Sequence, residues 1–361
     1  MNEFEGYWEF DGNSSQRLWE KSALGTLTKS GTLLLTPSEA LFCINHRNLD
    51  LSETNWLEDS LSNDESLLDE YAILEALRVP GNKIVLGENI SKMGYDAGEN
   101  TWALRWPSDK HPSKDDAISE VIYFHSDDKF DERQLYDWCE LVTSRDRVAE
   151  VLVVDQEQSV VTYRLHISDL KGNLQAPDPK SFQKIANMEH HRISSGGAFF
   201  PNTNDWPLDV VGIPLHGGRQ VDSNELHIIH KIGNLESNFT NPLPNSGKNL
   251  LQNSGLSKSA ELLMDLWSRG LNTRSGFKYG AEWRCYSGKV GQEHAPWLVI
   301  DPYSQKRSKT PEDWADACLS SRLASGVNKH WICPFYDDET WKYLEVSRPP
   351  SDSRWTNPSK K

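Results

Sequence analysis

Three stretches in the first half of the chain return in the same order in the second half, about 180 to 190 residues later. A repeat of that length constrains the fold more than any single motif does, because it calls for two similar units rather than one large core. The first pair is residues 35–49 against 221–235. In each, Ser, Thr or Asp precedes an acidic first turn, at Glu39 and Glu225, and Asn48 or Asn234 stands near the stop. These are the signals of a capped helix. The second pair, residues 71–77 and 262–267, is apolar at helical spacing and is cut short by Gly81 and Gly270. The third is a pair of apolar, β-rich runs around polar turns, 151–154 and 160–165 about Asp155-Gln156-Glu157-Gln158, then 331–335 and 341–346 about Asp337-Asp338-Glu339. Such runs predict β-hairpins. Pro334 cannot donate to a ladder and so predicts an edge or a bulge. The whole pattern predicts an α/β (mixed α+β) chain of two tandem repeats.

A length of 361 residues fits two domains or more, and 37% apolar content with 14 Trp is enough to build their cores. Turn-forming clusters predict linkers at 169–180 and within 241–257. The acidic, Ser-rich stretch 52–69 predicts a flexible insertion, and 349–361 a poorly ordered tail. There is no apolar run of 18 residues and the chain starts acidic, at Glu3 and Glu5. The expectation is no membrane span, no secretory leader and a cytoplasmic location. Cys43, Cys139, Cys285, Cys318 and Cys333 are odd in number and widely spaced, which predicts reduced thiols.

The formal net charge of −15 argues at first against a nucleic-acid partner. Its distribution reverses that. Residues 256–361 carry 16 Lys+Arg against 13 Asp+Glu, whereas residues 1–255 carry 22 against 40. A basic face is therefore allowed in the C-terminal third.

That third contains a phenol, an imidazole and an ammonium group in ordered succession, each beside a strand-like run: Tyr286 after Trp283-Arg284-Cys285, His294 before Trp297-Leu298-Val299, and Lys329 before Trp331-Ile332. RNA carries its own nucleophile, the 2′-hydroxyl. An enzyme need only take that proton, give one to the leaving 5′-oxygen and stabilise the crowded phosphorane. A phenol assisted by neighbouring cations suits the first task, an imidazole the second and a compact permanent charge the third.

Leu266-Trp267-Ser268-Arg269-Gly270, the run Gly276-Phe277-Lys278-Tyr279-Gly280-Ala281-Glu282-Trp283-Arg284-Cys285-Tyr286, His294 and Lys329 together resemble the archaeal tRNA-splicing endonucleases. The specific match covers about residues 260–348, and the first half resembles a degenerate copy, as in family members with two repeats per chain. The resemblance implies boundaries at 1–68 and 69–168 for the two subdomains of an inactive repeat, a linker at 169–180, and 181–257 and 258–348 for those of a catalytic one, with a tail at 349–361. It implies a small α/β N-terminal subdomain and a nuclease-like mixed sheet with helices in each repeat. It further implies a homodimer that cuts precursor tRNA, or other RNA with a bulge-helix-bulge element, without cofactor or metal, leaving a 2′,3′-cyclic phosphate and a 5′-hydroxyl. Tyr286, His294 and Lys329 would be catalytic, Arg322 and Arg348 would grip a flipped base, and Asp155 and Glu157 would dock into the partner chain. The Tyr286–His294 loop is short, and Ala295 stands where a small polar residue is usual.

In the first repeat Arg105 or Trp106 falls at the phenol position, His111 comes too early, and the lysine position falls near Arg147 or Ala149. The alternative to an enzyme is a non-catalytic RNA-binding or architectural subunit. A metal-dependent nuclease would need a carboxylate cluster near Lys329, but Asp337, Asp338 and Glu339 lie in a turn. His227 and His230 share a helical face without a third ligand at metal spacing, and His190-His191 reads as a surface pair.

Overall fold

In the computed structural model, which describes residues 2–4, 6–50, 55–234, 255–304 and 310–349, the chain divides into two units. Residues 1–167, 311–319 and 346–361 make the first, and 168–310 with 320–345 the second. The tail beyond Pro349, residues 235–254, which take in 241–254 of the expected inner linker, and residues 51–54 lie outside the described residues.

The first unit begins with β1 (Asn2–Phe4), β2 (Tyr7–Phe10), α1 (Ser15–Ser22), β3 (Thr26–Leu27) and β4 (Leu33–Leu35), an antiparallel sheet in the order β1-β2-β4-β3. Next come α2 (Pro37–Arg47), α3 (Trp56–Asn63) and α4 (Leu67–Arg78). The Thr36 hydroxyl accepts the Glu39 N–H at 3.3 Å, and the Glu39 carboxylate accepts the Thr36 N–H at 3.3 Å. This is the reciprocal cap that the spacing predicted. The same buried carboxylate takes the Gly25 N–H at 2.9 Å and the Arg78 guanidinium at 3.2 Å, so one cap ties α2 to α4. Gly25 has φ +61°, and a Cβ there would meet the Leu34 carbonyl at 2.2 Å, so only glycine fits.

The stretch 52–69 is not a loose insertion over its described part. α3 fills 56–63, and Trp56 is buried with its ring 5.6 Å from Trp8, edge to face. The acidic composition reflects exposed helix positions, and the one aromatic anchors the segment to the core.

Five further strands follow in hydrogen-bonded order: β5 (Lys83–Leu86), then α5 (Gly87–Lys92), β6 (Ala103–Trp106), β7 (Ser119–His125), α6 (Glu132–Ser144), β8 (Val148–Val154) and β9 (Val160–Ile167). All neighbours are antiparallel except β7 and β8, which are parallel. Their register sets Arg105 opposite Ser119, Ser119 opposite Val148 and Glu150 opposite Arg164. The Glu150 carboxylate is fully buried. It accepts from Arg105 at 2.9 and 3.1 Å and from the Ser119 hydroxyl at 2.7 Å, with Arg164 at 4.0 Å. Trp314, in the 311–319 segment, stacks on Phe124 at 4.8 Å.

The second unit holds α7 (Pro179–Ala186), β10 (His191–Arg192), β11 (Ala198–Pro201), β12 (Ile213–Leu215), β13 (Gly218–Val221) and α8 (Ser223–Gly233), with the four strands in the antiparallel order β10-β11-β13-β12. Asp222 and Glu225 repeat the reciprocal cap at the start of α8, at 2.8 Å each way. His190 is no plain surface residue: its ring stacks 4.9 Å from Phe200 and meets His230 at 5.5 Å. Then come α9 (Lys258–Ser268), β14 (Asn272–Ser275), β15 (Trp283–Tyr286), β16 (Trp297–Val299), α10 (Trp314–Ser325, of which 314–319 count with the first unit), β17 (His330–Asp337) and β18 (Thr340–Ser347, of which 346–347 do). β14 to β18 also run in sequence order, antiparallel except for the parallel pair β16–β17. Pro334 lies beyond the end of β16, whose last residue Val299 faces Ile332, so its missing N–H costs no bond on that side. Residues 169–178 form a strap: Leu170 is buried, and the N–H groups of Gly172, Asn173 and Leu174 donate to the carbonyls of Arg269, Ser287 and Gly270 at 2.7–3.0 Å.

All five cysteines are free thiols. Among the described residues no helix is long and apolar enough to cross a membrane.

Because Glu150 answers two buried guanidinium groups, Glu150→Leu removes a buried charge that both face and is expected to cost about 3–5 kcal/mol. Arg105→Met leaves Glu150 with Arg164 and Ser119 and should cost clearly less. Urea unfolding of the two variants checks the order, and equal losses would show that the cluster does not act through charge.

Candidate active site at the β15–β16–β17 edge

Alternation along β15 sorts its side chains. Trp283 and Cys285 join Val299 and Ile332 in a core with Leu263, Leu266 and Trp267. Arg284 and Tyr286 therefore point to the other face. On that face Tyr286 lies opposite Asn272, and Arg284 opposite Arg274, across the β14 ladder. Tyr286 is the last residue of β15, and it is buried.

The antiparallel register pairs Cys285 with Trp297, and the parallel register pairs Trp297 with His330. The C-terminal end of β15 and the N-terminal ends of β16 and β17 thus share one edge of the sheet. His294 is exposed in the loop from β15 to β16. That loop is drawn together by the Ser287 hydroxyl donating to the Glu293 carboxylate at 2.7 Å, one residue beyond Tyr286 and one before His294. Its start is also held by the Asn173 N–H on the Ser287 carbonyl at 2.7 Å.

Lys329 reaches the edge from α10. The helix is stopped by Asn328, which adopts φ 53°, and the Lys329 N–H turns back to the Ala324 carbonyl at 3.0 Å. The Lys329 ammonium donates to the carbonyl of Ala295, the residue after His294, and lies 5.8 Å from the centre of the Tyr279 ring. The His330 N–H fixes Pro296 at 2.8 Å. The structure therefore brings Lys329 to the peptide after His294, and Tyr286 to the other end of the same short loop. A phenol, an imidazole and an ammonium group on one edge can move two protons and stabilise an anion between them.

Arg322 is exposed on α10 in the second unit, whereas Arg348, half-buried just past β18, falls among the residues of the first. The Asp155 carboxylate is engaged in its own turn, accepting from the N–H groups of Glu157 at 2.9 Å and Ser159 at 2.8 Å; Glu157 is exposed.

Sequence reasoning missed three neighbours of the site. Tyr279 stands beside Lys329, Arg284 meets the same Tyr279 ring, and Arg274 lies near Tyr286, where burial pulls its guanidinium below its ordinary value against the opposing charge of Glu225. The alternation Arg284-x-Tyr286 carried that signal, since strand neighbours two apart share a face.

Residues 258–343 match the family described as tRNA intron endonuclease, catalytic C-terminal domain. Over that segment the chain is similar to the catalytic domain of the tRNA intron endonucleases. It is 26% identical over 197 residues to the tRNA-splicing endonuclease of Picrophilus torridus, covering 55% of each chain. It is 37% identical over 108 residues to that of Methanothermobacter thermautotrophicus, covering 28% of this chain and 59% of the relative. A third likeness, to the tRNA-splicing endonuclease of Thermoplasma volcanium, is 38% identical over 88 residues. The chain spans only a little over half the length of the first two relatives. The match takes in Tyr286, His294 and Lys329 together.

His330, next to Lys329, bonds the Glu345 carboxylate at 2.7 Å, and this bond raises its imidazole above the ordinary value. A raised histidine contributes stability that is complete below the unfolded value of about 6.5 and fades as pH rises through the folded one. The melting temperature of Glu345→Gln should therefore trail the unaltered protein by more at pH 5.5 than at pH 9. An equal gap at both would show that the pair adds no charge-dependent stability.

Proposed function

We propose that the chain is an endoribonuclease that removes introns from precursor tRNA. It cuts at bulge-helix-bulge elements by internal transphosphorylation, without a metal ion. The observation that carries this is the gathering of Tyr286, His294 and Lys329 at one strand edge, inside the segment that matches the family's catalytic domain.

In this reading Tyr286 takes the proton of the 2′-hydroxyl. The freed oxygen attacks the adjacent phosphorus, forming a P–O2′ bond as the P–O5′ bond breaks. His294 donates its proton to the departing 5′-oxygen, and Lys329 stabilises the charge of the phosphorane. The products are a 2′,3′-cyclic phosphate and a 5′-hydroxyl, with the protons balanced between the phenolate and the imidazole. Exposure suits His294 to its task, since it must take up a proton from solvent before each cycle.

The first unit is read as an inactive copy. In this reading, counting along the paired strands of each unit, Trp106 would correspond to Tyr286 and Arg147 to Lys329. Trp106 has no acidic hydroxyl, and its indole N–H is spent on the Asp115 carbonyl. Arg147 is held by the buried Glu120 carboxylate at 2.8 Å and by the Asp96 carbonyl at 2.6 Å. Such a copy is kept for assembly, and we take the protein to be a cytoplasmic homodimer. With Asp155 spent on its own turn, Glu157 carries the docking charge. Arg322 and Arg348 would grip a base flipped from the bulge, as planar cations do.

Incubation with a bulge-helix-bulge RNA in excess chelator tests the reading. The expected result is cleavage at both junctions with new 2′,3′-cyclic phosphate and 5′-hydroxyl ends. Tight binding with no cleavage would point instead to a non-catalytic, RNA-binding subunit. Cleavage that chelator abolishes would point to a metal-dependent nuclease.

A further inference from the structure

Between β14 and β15 an aromatic ring meets two cations, of which the proposed chemistry uses only one. Residues Phe277–Tyr279 make a single 3-10 turn, closed by the Tyr279 N–H on the Gly276 carbonyl at 2.8 Å and ended by Gly280 at φ 69°. A Cβ at Gly276 would sit 2.6 Å from the Ala281 carbonyl, so the turn is close-packed on its own return strand. This fixed turn presents the Tyr279 ring with the Lys329 ammonium 5.8 Å from its centre and the Arg284 guanidinium carbon also at 5.8 Å. Both lie within cation–π range.

The two cations are otherwise held differently. Lys329 is anchored a second time, on the Ala295 carbonyl. Arg284 uses only its Nε, which donates to the Ser275 carbonyl at 2.9 Å, and its terminal nitrogens make no bond among the described residues. Arg284 shares its face of β15 with Tyr286, two residues and so about 7 Å along the strand. A half-buried guanidinium with its fork open, on the strand face of Tyr286 and against the ring that also meets the Lys329 ammonium, has the geometry for bidentate contact with a phosphate. A ring that meets both cations attracts each of them without spending either on a carboxylate.

We infer that Tyr279 is a positioning residue that holds Lys329 and Arg284 as a paired-cation clamp, and that Arg284 binds an RNA backbone phosphate next to the one that is cut. The inference rests on the function proposed above, and its test separates the two.

Binding is measured with a bulge-helix-bulge RNA whose cleavage-site nucleotides are 2′-deoxy, as a function of salt, and cleavage in single turnover with the ordinary RNA. Each phosphate contact contributes about 0.7–0.9 to the slope of log affinity on log salt. Arg284→Ala should reduce the slope by about that much, and Arg284→Lys should keep it. Tyr279→Leu should reduce the slope and slow cleavage about 10- to 100-fold, because Lys329 keeps only its anchor on the Ala295 carbonyl. Tyr279→Phe, which keeps the ring face, should restore both. If Arg284→Ala does not fold, Arg284→Gln, which keeps the stem, is read in the same way.

If the unaltered protein cuts the RNA while Arg284→Ala has its full salt slope, the clamp is overturned and the proposed function stands. If Tyr279→Phe is as slow as Tyr279→Leu, the ring is not the positioning element. If the unaltered protein neither binds nor cuts, the proposed function fails, and the clamp with it.

Discussion

A parallel pair of strands cannot be joined by a tight turn, so the chain that leaves β16 must cross over before it can enter β17 beside it. Here it returns through α10. The crossover starts β16 and β17 at the same edge, and the antiparallel β15 ends there too. Three strand ends, one of them reached only through the crossover, therefore deliver side chains to one line. An all-antiparallel arrangement would have put the start of β17 at the opposite edge. Lys329, fixed by the Asn328 turn and the Ala295 carbonyl, would then have stood a strand's length from the loop of His294.

The second constraint is the two-residue period of β15. Trp283 and Cys285 fill the core while Arg284 and Tyr286 face away from it, and a one-residue slip would exchange the sets. The core side chains thus hold the functional face in register. In the first unit the corresponding interior is built from charge instead: Arg105 stands where Cys285 does by register, and Glu150 where Ile332 does. An interior ion cluster carries a desolvation cost that close geometry and further hydrogen bonds must offset.

Much of the fold was legible in the sequence wherever local chemistry decides it. Both reciprocal caps, at Thr36–Glu39 and Asp222–Glu225, and both hairpins lie where the residue pattern set them. Tyr286, His294 and Lys329 could be singled out because their flanks are distinctive. What could not be read depends on partners distant in sequence. The segment 52–69 looked loose because one residue, Trp56, supplies its anchor, and composition does not show that Trp8 is waiting for it. Residues 169–178 looked like a linker because their bonds are made by backbone N–H groups, which no side-chain pattern reveals. The choices between Arg105 and Trp106, and between Arg147 and Ala149, needed a strand register, which sequence leaves free by one or two positions.

The central claim is that His294 gives a proton to the departing 5′-oxygen. It is tested most directly by single-turnover cleavage of an RNA whose scissile 5′-oxygen is replaced by sulfur, which leaves without protonation. On ordinary RNA, His294→Ala should be slower than the unaltered protein by about 10²–10⁴-fold. On the sulfur substrate the two should cut at similar rates. A variant that stays as slow on sulfur as on oxygen, while the unaltered protein cuts both, would contradict the account.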